Sequence, residues 1–349
     1  MKLIKTEDAV GHVLCHDITQ IVKGVTKDAI FRKGHIIKEE DIPVLLSVGK
    51  DSIYIWENDE TKLHENEAAE VLCVLAENDY MERGQVKEGK IELFATIDGL
   101  FKVNSQGIKA INGFGQMMIA TRHGNLPVKK GDKVAGTRII PLVIEKDKIE
   151  AASVAVKKAT GGKPILKLIP FKEKKVGLIT TGNEVFYGRI QDTFSPVIIE
   201  KFAEYGSQVI MHETFEDNDT KVTDAILRMI DSGCEVICCT GGMSVDPDDK
   251  TPLAIKNTGA DVVTYGAPVL PGAMFMLAYY TSVTGKMVPI MGLPGCVMYA
   301  KRTIFDLVLP RIMADDQITA DELAALGEGG LCLNCPVCTF PNCGFGKGK

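Results

Sequence analysis

The chain is predicted to be an α/β protein whose second half is a doubly wound, mainly parallel sheet preceded by smaller mixed α/β or β-rich units. Three observations carry this. From about Glu173 onward, short Val- and Ile-rich runs alternate with amphipathic stretches, the pattern of a parallel sheet covered on both faces. Several of these runs stop at glycine-rich turns, where loops leave the carboxyl ends of strands in such sheets. At 349 residues the chain also exceeds one ordinary core, so more than one domain is expected. The expected division is a mixed α/β and β-rich region over 1–172, the α/β domain over 173–315, and a short helix with a cysteine-rich, metal-binding tail over 316–349.

In the first region, "FRKGHIIKEEDIPVLLSVG" predicts a turn at Gly34 and then a short helix. Asp41 and Pro43 stand in its first turn, Val44, Leu45 and Val48 share a face, and Gly49 ends it. "DSIYIW" follows as an alternating, β-prone strand. "KIELFATIDGLFKVN", "GQMMIATRHG" and "DKVAGTRIIPLVI" read as strands separated by glycine-containing turns. The lysine-rich stretch from Lys146 to Lys175 reads as a solvated connecting segment rather than an anion-binding patch. His12, Cys15 and His16 in "GHVLCHD" read as structural, and no motif in this half carries chemistry.

The second region is more regular. "KKVGLITTG" is a buried strand ending at Gly182, and "SPVIIEKFAEYG" a helix with Ser195 as N-cap and Pro196 in its first turn. "SQVIMHETF" is the next strand, with His212 near its end. "DTKVTDAILRMIDSG" is an amphipathic helix with Val222, Ile226, Met229 and Ile230 on one side. "CEVICCTGG" is a strand running into glycines, and "TPLAIKNTG" a short helix with Thr251 as cap. "DVVTYGAPV" and "KMVPIMGLPG" are further strands, and "VMYAKRTIFDLVLPRIM" is the closing helix. Thr319 and Glu322 form a capping box for a short helix beyond it, and Gly329 and Gly330 read as a flexible joint.

Composition narrows the function. A formal charge of -6 leaves no basic excess to neutralise phosphates, so a nucleic-acid partner is not expected. The start "MKLIKTEDAV" has no apolar core of a secretory signal. Val262 to Gly285 has no charged side chain, but Gly266, Pro268, Pro271 and Gly272 break it into strand, turn and apolar run, so no membrane span is expected. Of the ten cysteines, six are scattered, several inside apolar runs where Cys behaves as a small hydrophobe. A disulfide framework is not expected, and the chain reads as cytoplasmic.

The strand ends hold the chemistry: "TTGNE" (Thr180 to Glu184), "TGGMSVDPDDKTP" (Thr240 to Pro252), "GAPVLPG" (Gly266 to Gly272) and "GLPG" (Gly292 to Gly295). Gly241 and Gly242 let backbone N–H groups approach a phosphate, and the helix starting near Thr251 adds its N-terminal dipole. Asp246, Asp248 and Asp249 would repel a phosphate, so the pairing makes sense with a divalent cation such as Mg2+ between them. Glu184 offers a further acidic ligand or orients water. Any one of these loops alone reads as an ordinary turn.

In order, "TTGNE…GRIQD" (Thr180 to Asp192), "TGGMSVDPDDKTP" and "GLPG" resemble the molybdopterin-binding domain shared by molybdopterin molybdotransferases and molybdopterin adenylyltransferases, over roughly Lys174 to Met313. The resemblance implies molybdopterin or its adenylate as ligand, molybdate or tungstate as co-substrate, a recipient molybdoenzyme as partner, and self-association into a homo-oligomer. It implies Mg2+-dependent phosphoanhydride cleavage coupled to metal insertion. Asp249 matches the family's aspartate in "GG-x-S-x(4)-D", and Glu184 the acidic position after "TG"; these are the catalytic candidates. Thr181, Gly182, Asp192, Gly241, Gly242, Ser244, Pro271, Gly272, Gly292, Leu293, Pro294 and Gly295 are the implied cofactor contacts. Three features depart from the molybdotransferase pattern. The missing lysines among them favour an alternative, a non-catalytic cofactor carrier or a redox sensor or partner-docking protein using the cysteine cluster, whereas the retained Asp249 and Glu184 favour the enzyme. Cys296-Val297 stands where molybdotransferases have Asn-Pro, "VVTYGAPVLPG" carries no lysine, and the "DNSAMDGYA"-type signature is absent.

The tail "CLNCPVCTFPNC" places Cys332, Cys335, Cys338 and Cys343 in a C-x2-C-x2-C-x4-C run. This spacing comes close to the bacterial iron–sulfur run and departs from the paired knuckles of zinc sites, so an iron–sulfur cluster or Zn2+ is expected there. The tail reads as poor in apolar residues, with metal as its source of order.

Overall fold

The computed structural model describes residues 2–22, 26–55 and 59–348. The chain divides into two compact units, one of residues 1–95, 103–122 and 131–167, the other of 96–102, 123–130 and 168–349.

The first unit holds an antiparallel pair, Lys2–Lys5 with Ser52–Ile55, and a hairpin of Ile18–Val22 with Thr26–Phe31. Leu14, Ile18, Ile37, Leu45 and Ile53 form the core beneath them. The expected short helix is Ile42–Ser47, with Gly49 in the left-handed region beyond it. Leu45 and Val48 face that core, whereas Val44 is exposed, so the predicted apolar face is narrower. The "DSIYIW" strand is present as Ser52–Ile55; Trp56 lies outside the described residues. A four-stranded antiparallel sheet, in the order Met81–Arg83, Lys90–Ala95, Lys133–Ile139, Met117–Thr121, completes the unit with three helices. One helix corrects an expectation. Lys146–Thr160 is a 15-residue helix burying Ile149, Ala152 and Val156, because apolar positions three and four apart interrupt the lysines.

The second unit is built on one six-stranded sheet. Its strands are β1 (Lys175–Thr181), β2 (Gln208–Phe215), β3 (Val236–Thr240), β4 (Asp261–Tyr265), β5 (Met276–Thr281) and β6 (Met287–Leu293), in the order β2-β1-β3-β6-β5-β4. β2, β1, β3 and β6 run parallel, while β5 and β4 are antiparallel to their neighbours. Helices α1 (Phe194–Ala203), α2 (Asp219–Asp231), α3 (Thr251–Asn257), α4 (Ile304–Met313) and α5 (Ala320–Ala325) cover it. Successive side chains of a strand point to opposite faces. Accordingly Val176, Leu178, Val236 and Cys238 pack with α1 and α4, and Ile179, Ile237 and Cys239 pack with α2 and α3. Both faces are dry, which is why these strands read as continuous apolar runs. The thiols of Cys15, Cys73, Cys234, Cys238 and Cys239 are buried, and burial pushes Cys73 up to about 11 and Cys239 up to about 12. The inserted segments 96–102 and 123–130 pair antiparallel, with Leu126 opposite Phe101 and Val128 opposite Gly99. No helix among the described residues is long and apolar enough to cross a membrane.

Helix starts differ from the expected caps. α1 begins at Phe194, and the amides of Phe194 and Ser195 donate to Asp192 Oδ1 at 2.9 and 3.0 Å. A carboxylate upstream serves both amides at once, so Ser195 lies inside the helix. Thr251 is the first residue of α3 rather than its cap, with its hydroxyl turned to Gly241 O at 2.9 Å. Asn218 caps α2, and Thr319 with Glu322 forms the predicted capping box on α5.

The tail corrects a larger expectation. Phe345 is 4% exposed and belongs to the main core, with Phe340, Cys332 and Cys343 packed against it. Gly330 is a fitted contact, not a joint: a Cβ there would stand 2.3 Å from Pro268 O and 2.5 Å from Leu326 O. The chain also pairs with the loop after β4, Leu270 N donating to Gly330 O and Cys332 N to Leu270 O, both at 2.8 Å.

Candidate functional site

Parallel pairing sets the ends of β1, β2, β3 and β6 along one edge: Thr181 stands beside Phe215, Thr180 beside Thr240, and Thr240 beside Leu293. The antiparallel strands bring a further loop there, since Tyr265 at the end of β4 pairs with Met276, which pairs with Gly292. The four strand-end stretches therefore share one edge of the sheet.

Two threonines bind its centre together. Thr181 Oγ1 lies 3.0 Å from Thr251 Oγ1 and 3.3 Å from Thr240 O, joining β1, β3 and α3. Gly241 and Gly242 follow with positive φ of 82° and 55°. A Cβ at Gly241 would lie 2.1 Å from Thr181 O, and one at Gly242 would lie 2.9 Å from Thr251 Oγ1. The glycines are thus required by the packing of these strand ends as well as by any ligand. At Gly292 a Cβ would meet Met243 Sδ at 2.5 Å, so the "GLPG" strand closes against the Gly-Gly loop.

The loop beyond Gly242 is folded on itself. Ser244 N donates to Asp249 Oδ2 at 2.8 Å, and Asp249 N to Asp246 O at 3.0 Å. Asp246 and Asp248 are exposed and Asp249 is half-buried. Glu184 is exposed on the short helix Asn183–Phe186 after Gly182. Asp217, just past β2, joins this group: its Oδ2 accepts Asn183 N at 3.1 Å. Burial raises the Asp217 carboxyl above its ordinary range, and the fields of Glu184, Asp249 and Asp248 raise it further. Carboxylate oxygens are the donor chemistry of a hard divalent cation. Among the described residues, no three His, Cys, Asp or Glu side chains already converge as a metal site.

Asp192 is placed differently. Its Oδ2 accepts the hydroxyl of Ser195 and that of Thr180 at 3.1 Å. His212 Nε2 lies 3.0 Å from Thr180 Oγ1 and 3.1 Å from Ser195 Oγ. Burial opposes ionisation of Asp192, but the Ser195 hydroxyl and the α1 amides outweigh it and hold the carboxyl below its ordinary range. His212 sits within β2, opposite Leu178, rather than at the strand end. Asp192 therefore anchors a polar cluster under the site.

Of the remaining predicted contacts, Gly272 is buried, with a Cβ position 2.5 Å from Ile304 Cγ2, and Pro271 O accepts Ile304 N at 3.2 Å. Gly292, Leu293 and Pro294 are buried and Gly295 is exposed at the start of a tight turn. Cys332, Cys335, Cys338 and Cys343 all line a separate pocket of about 220 Å3. Asp217 and the Thr181–Thr251 bond were not foreseen. Asp217 lies in the acidic run "ETFEDND" directly after a strand, which was its one visible signal; the threonine bond joins positions 70 apart in sequence.

Residues 177–314 match the family model described as "Probable molybdopterin binding domain", and residues 3–57 match a domain of unknown function. The chain is 26% identical over 140 residues to a molybdopterin adenylyltransferase of Pyrococcus furiosus, covering 37% of this chain and 82% of that protein. It is 32% identical over 90 residues to a CinA-like protein of Geotalea uraniireducens, covering 26% of this chain and 21% of that protein. The chain thus spans about a fifth of the length of the CinA-like and competence-damage-inducible relatives it matches. The crystal structure of the tungsten cofactor synthesizing protein MoaB from Pyrococcus furiosus aligns at 22% identity with a TM-score of 0.32, covering 36% of this chain and 84% of that one.

Proposed function

Residues 177–314 belong to the molybdopterin-binding domain family, and from that premise we propose that the chain binds molybdopterin or its adenylate at the shared strand-end edge, in molybdenum or tungsten cofactor biosynthesis. The observation that carries the reading is that Gly241, Gly242, Asp249, Glu184 and Asp217 all follow strands that end along that one edge. The Gly-Gly turn and Ser244 border the phosphates, and Thr181 keeps the turn in place. Asp246, Asp248 and Asp249, with Glu184 and Asp217 beside them, would hold Mg2+. When bound, that ion neutralises phosphate oxygens and polarises the bond to be broken. Asp249 is fixed by the Ser244 amide, and either it or Glu184 orients the attacking group during phosphoanhydride cleavage. Molybdate or tungstate is the co-substrate, and self-association and transfer to a recipient molybdoenzyme belong to the same reading. The tail cysteines would be the ligands of an iron–sulfur cluster or Zn2+, although among the described residues no three of them converge as a metal site.

A carrier or redox sensor without turnover is the second reading. It is favoured by the lysine-free strand and loop of "VVTYGAPVLPG", since a turnover site must neutralise more anionic charge.

Pterin binding and turnover of adenylated molybdopterin with molybdate and Mg2+ test both readings. Wild type is expected to bind and turn over the substrate, and Asp249→Ala to lose turnover by about 100-fold or more, beyond any loss of pterin affinity measured beside it. Binding without turnover in wild type removes the catalytic reading and leaves the carrier. Failure to bind pterin overturns both.

A further inference from the structure

Residues of α1 and α4 line a cavity of about 790 Å3, within the size range of small-molecule sites. All of its lining residues belong to the second unit. Glu173 and Gly206 in its wall stand just before β1 and β2, at the opposite ends of those strands from the Gly241 edge. The inner wall is an ion triad. Asp306 Oδ1 accepts Lys201 Nζ at 2.6 Å and Arg302 Nη1 at 2.8 Å, while Oδ2 accepts the Thr303 amide at 2.8 Å. The Asp306 side chain is 5% exposed and that of Lys201 13%. Two cations share one carboxylate there, so this buried wall carries one formal positive charge. Arg302 also hydrogen-bonds the Cys338 sulfur, and the ammonium of Lys201 has three N–H donors to place. A buried cation in excess of its partners favours a single incoming anionic group.

The solvent side is acidic. Glu173, Glu204 and Asp98 line the cavity and are exposed. Glu173 lies over Gly206, where a Cβ would stand 3.1 Å from its Cγ. Among the described residues, four carboxylates and three cations line the cavity. A phosphate ester, with two negative charges, therefore meets net repulsion, whereas one carboxylate and one ammonium on the same ligand each meet a partner. The remaining wall is largely aromatic. Phe171 and Tyr205 meet edge to face with ring centres 4.9 Å apart, and Phe340 lies 5.1 Å from the Arg302 guanidinium. Burial, with the fields of Glu204 and Asp306, pushes the Tyr205 phenol up, so it stays a neutral hydroxyl. Such walls suit the offset or edge contacts of a further ring.

We propose that this cavity binds a small zwitterion carrying an aromatic ring, of the class of aromatic α-amino acids. Its carboxylate meets Lys201 and Arg302, its ammonium meets Glu173 and Glu204, and its ring packs against Phe171, Tyr205 and Phe340. The site is independent of the pterin reading of the strand-end edge.

The full chain is titrated in a calorimeter with L-phenylalanine, N-acetyl-L-phenylalanine, L-phenylalaninamide and phenyl phosphate. L-Phenylalanine is expected to bind, and each of the others to bind about tenfold more weakly or worse, since each removes one of the two charges or replaces the pair by a dianion. No binding of L-phenylalanine overturns the site, and phenyl phosphate binding as tightly as the amino acid overturns the charge assignment. This comparison uses wild-type protein throughout, so it does not depend on how a variant folds. Placement is tested with Lys201→Met and Glu173→Gln, each expected to weaken L-phenylalanine binding about tenfold or more. Lys286→Met, whose ammonium pairs with Glu235 outside the cavity, is expected to leave it unchanged. Equal affinity across the three variants, or an equal loss in Lys286→Met, overturns the placement.

Discussion

At Gly241 there is room for a hydrogen and nothing more. The position takes φ of 82°, and a Cβ would lie 2.1 Å from a neighbouring strand's carbonyl. Gly241→Ala is expected to destabilise the protein by about 2–4 kcal/mol in urea unfolding. An unchanged midpoint would show that the β1 and β3 ends separate easily. Asp217 behaves in the opposite sense. Its folded value lies above the ordinary carboxylate range, so stability is lost as pH rises from the unfolded value through the folded one. Asp217→Asn keeps the acceptor for Asn183 and removes the repulsion. It is expected to raise the unfolding free energy by about 0.5 kcal/mol at neutral pH without Mg2+, allowing for solvent screening. The gain should vanish below the unfolded value and shrink with saturating Mg2+; a loss at neutral pH would contradict the electrostatic account. The sequence made the Gly-Gly pair visible but pointed to a ligand as its reason, because Thr181 is distant along the chain.

The start of α1 shows how elements are set by groups outside them. Asp192, Thr193 and Ser195 are all reasonable caps by residue type, and sequence reasoning chose Ser195. The carboxylate wins because it accepts two first-turn amides and two hydroxyls together. Asp192→Ala is expected to cost about 1–2 kcal/mol at neutral pH. The folded value of Asp192 is depressed, so its contribution is present above the unfolded value and lost as pH falls through the folded one. The wild-type and Asp192→Ala unfolding curves should therefore converge in acid; a constant gap would assign the cost to lost packing. The central strands β1, β3 and β6 were legible as elements because both of their faces are buried. Lys146–Thr160 was not, because its lysines obscured the period of Ile149, Ala152 and Val156.

At the scale of the molecule, the shared edge was foreseeable from strand–helix alternation alone, since parallel strands must end together. The packing of the tail was not, because two phenylalanines and several glycines make little apolar signal in a cysteine-rich stretch. Their effect depends on close approach, as where a Cβ at Gly346 would stand 2.2 Å from Leu307 Cδ2. Phe345→Ala is expected to destabilise the second unit by about 3–4 kcal/mol, seen in the melting of that unit's core; a small effect would mean the tail contributes little to it. The distribution of thiols has a practical result as well. Five are enclosed in the cores, and those whose ionisation burial suppresses most should resist alkylation while the fold holds. Brief native alkylation followed by mass counting would then read the outer sulfurs against a silent internal standard, so one spectrum could report both how much protein is folded and how much of its tail is occupied.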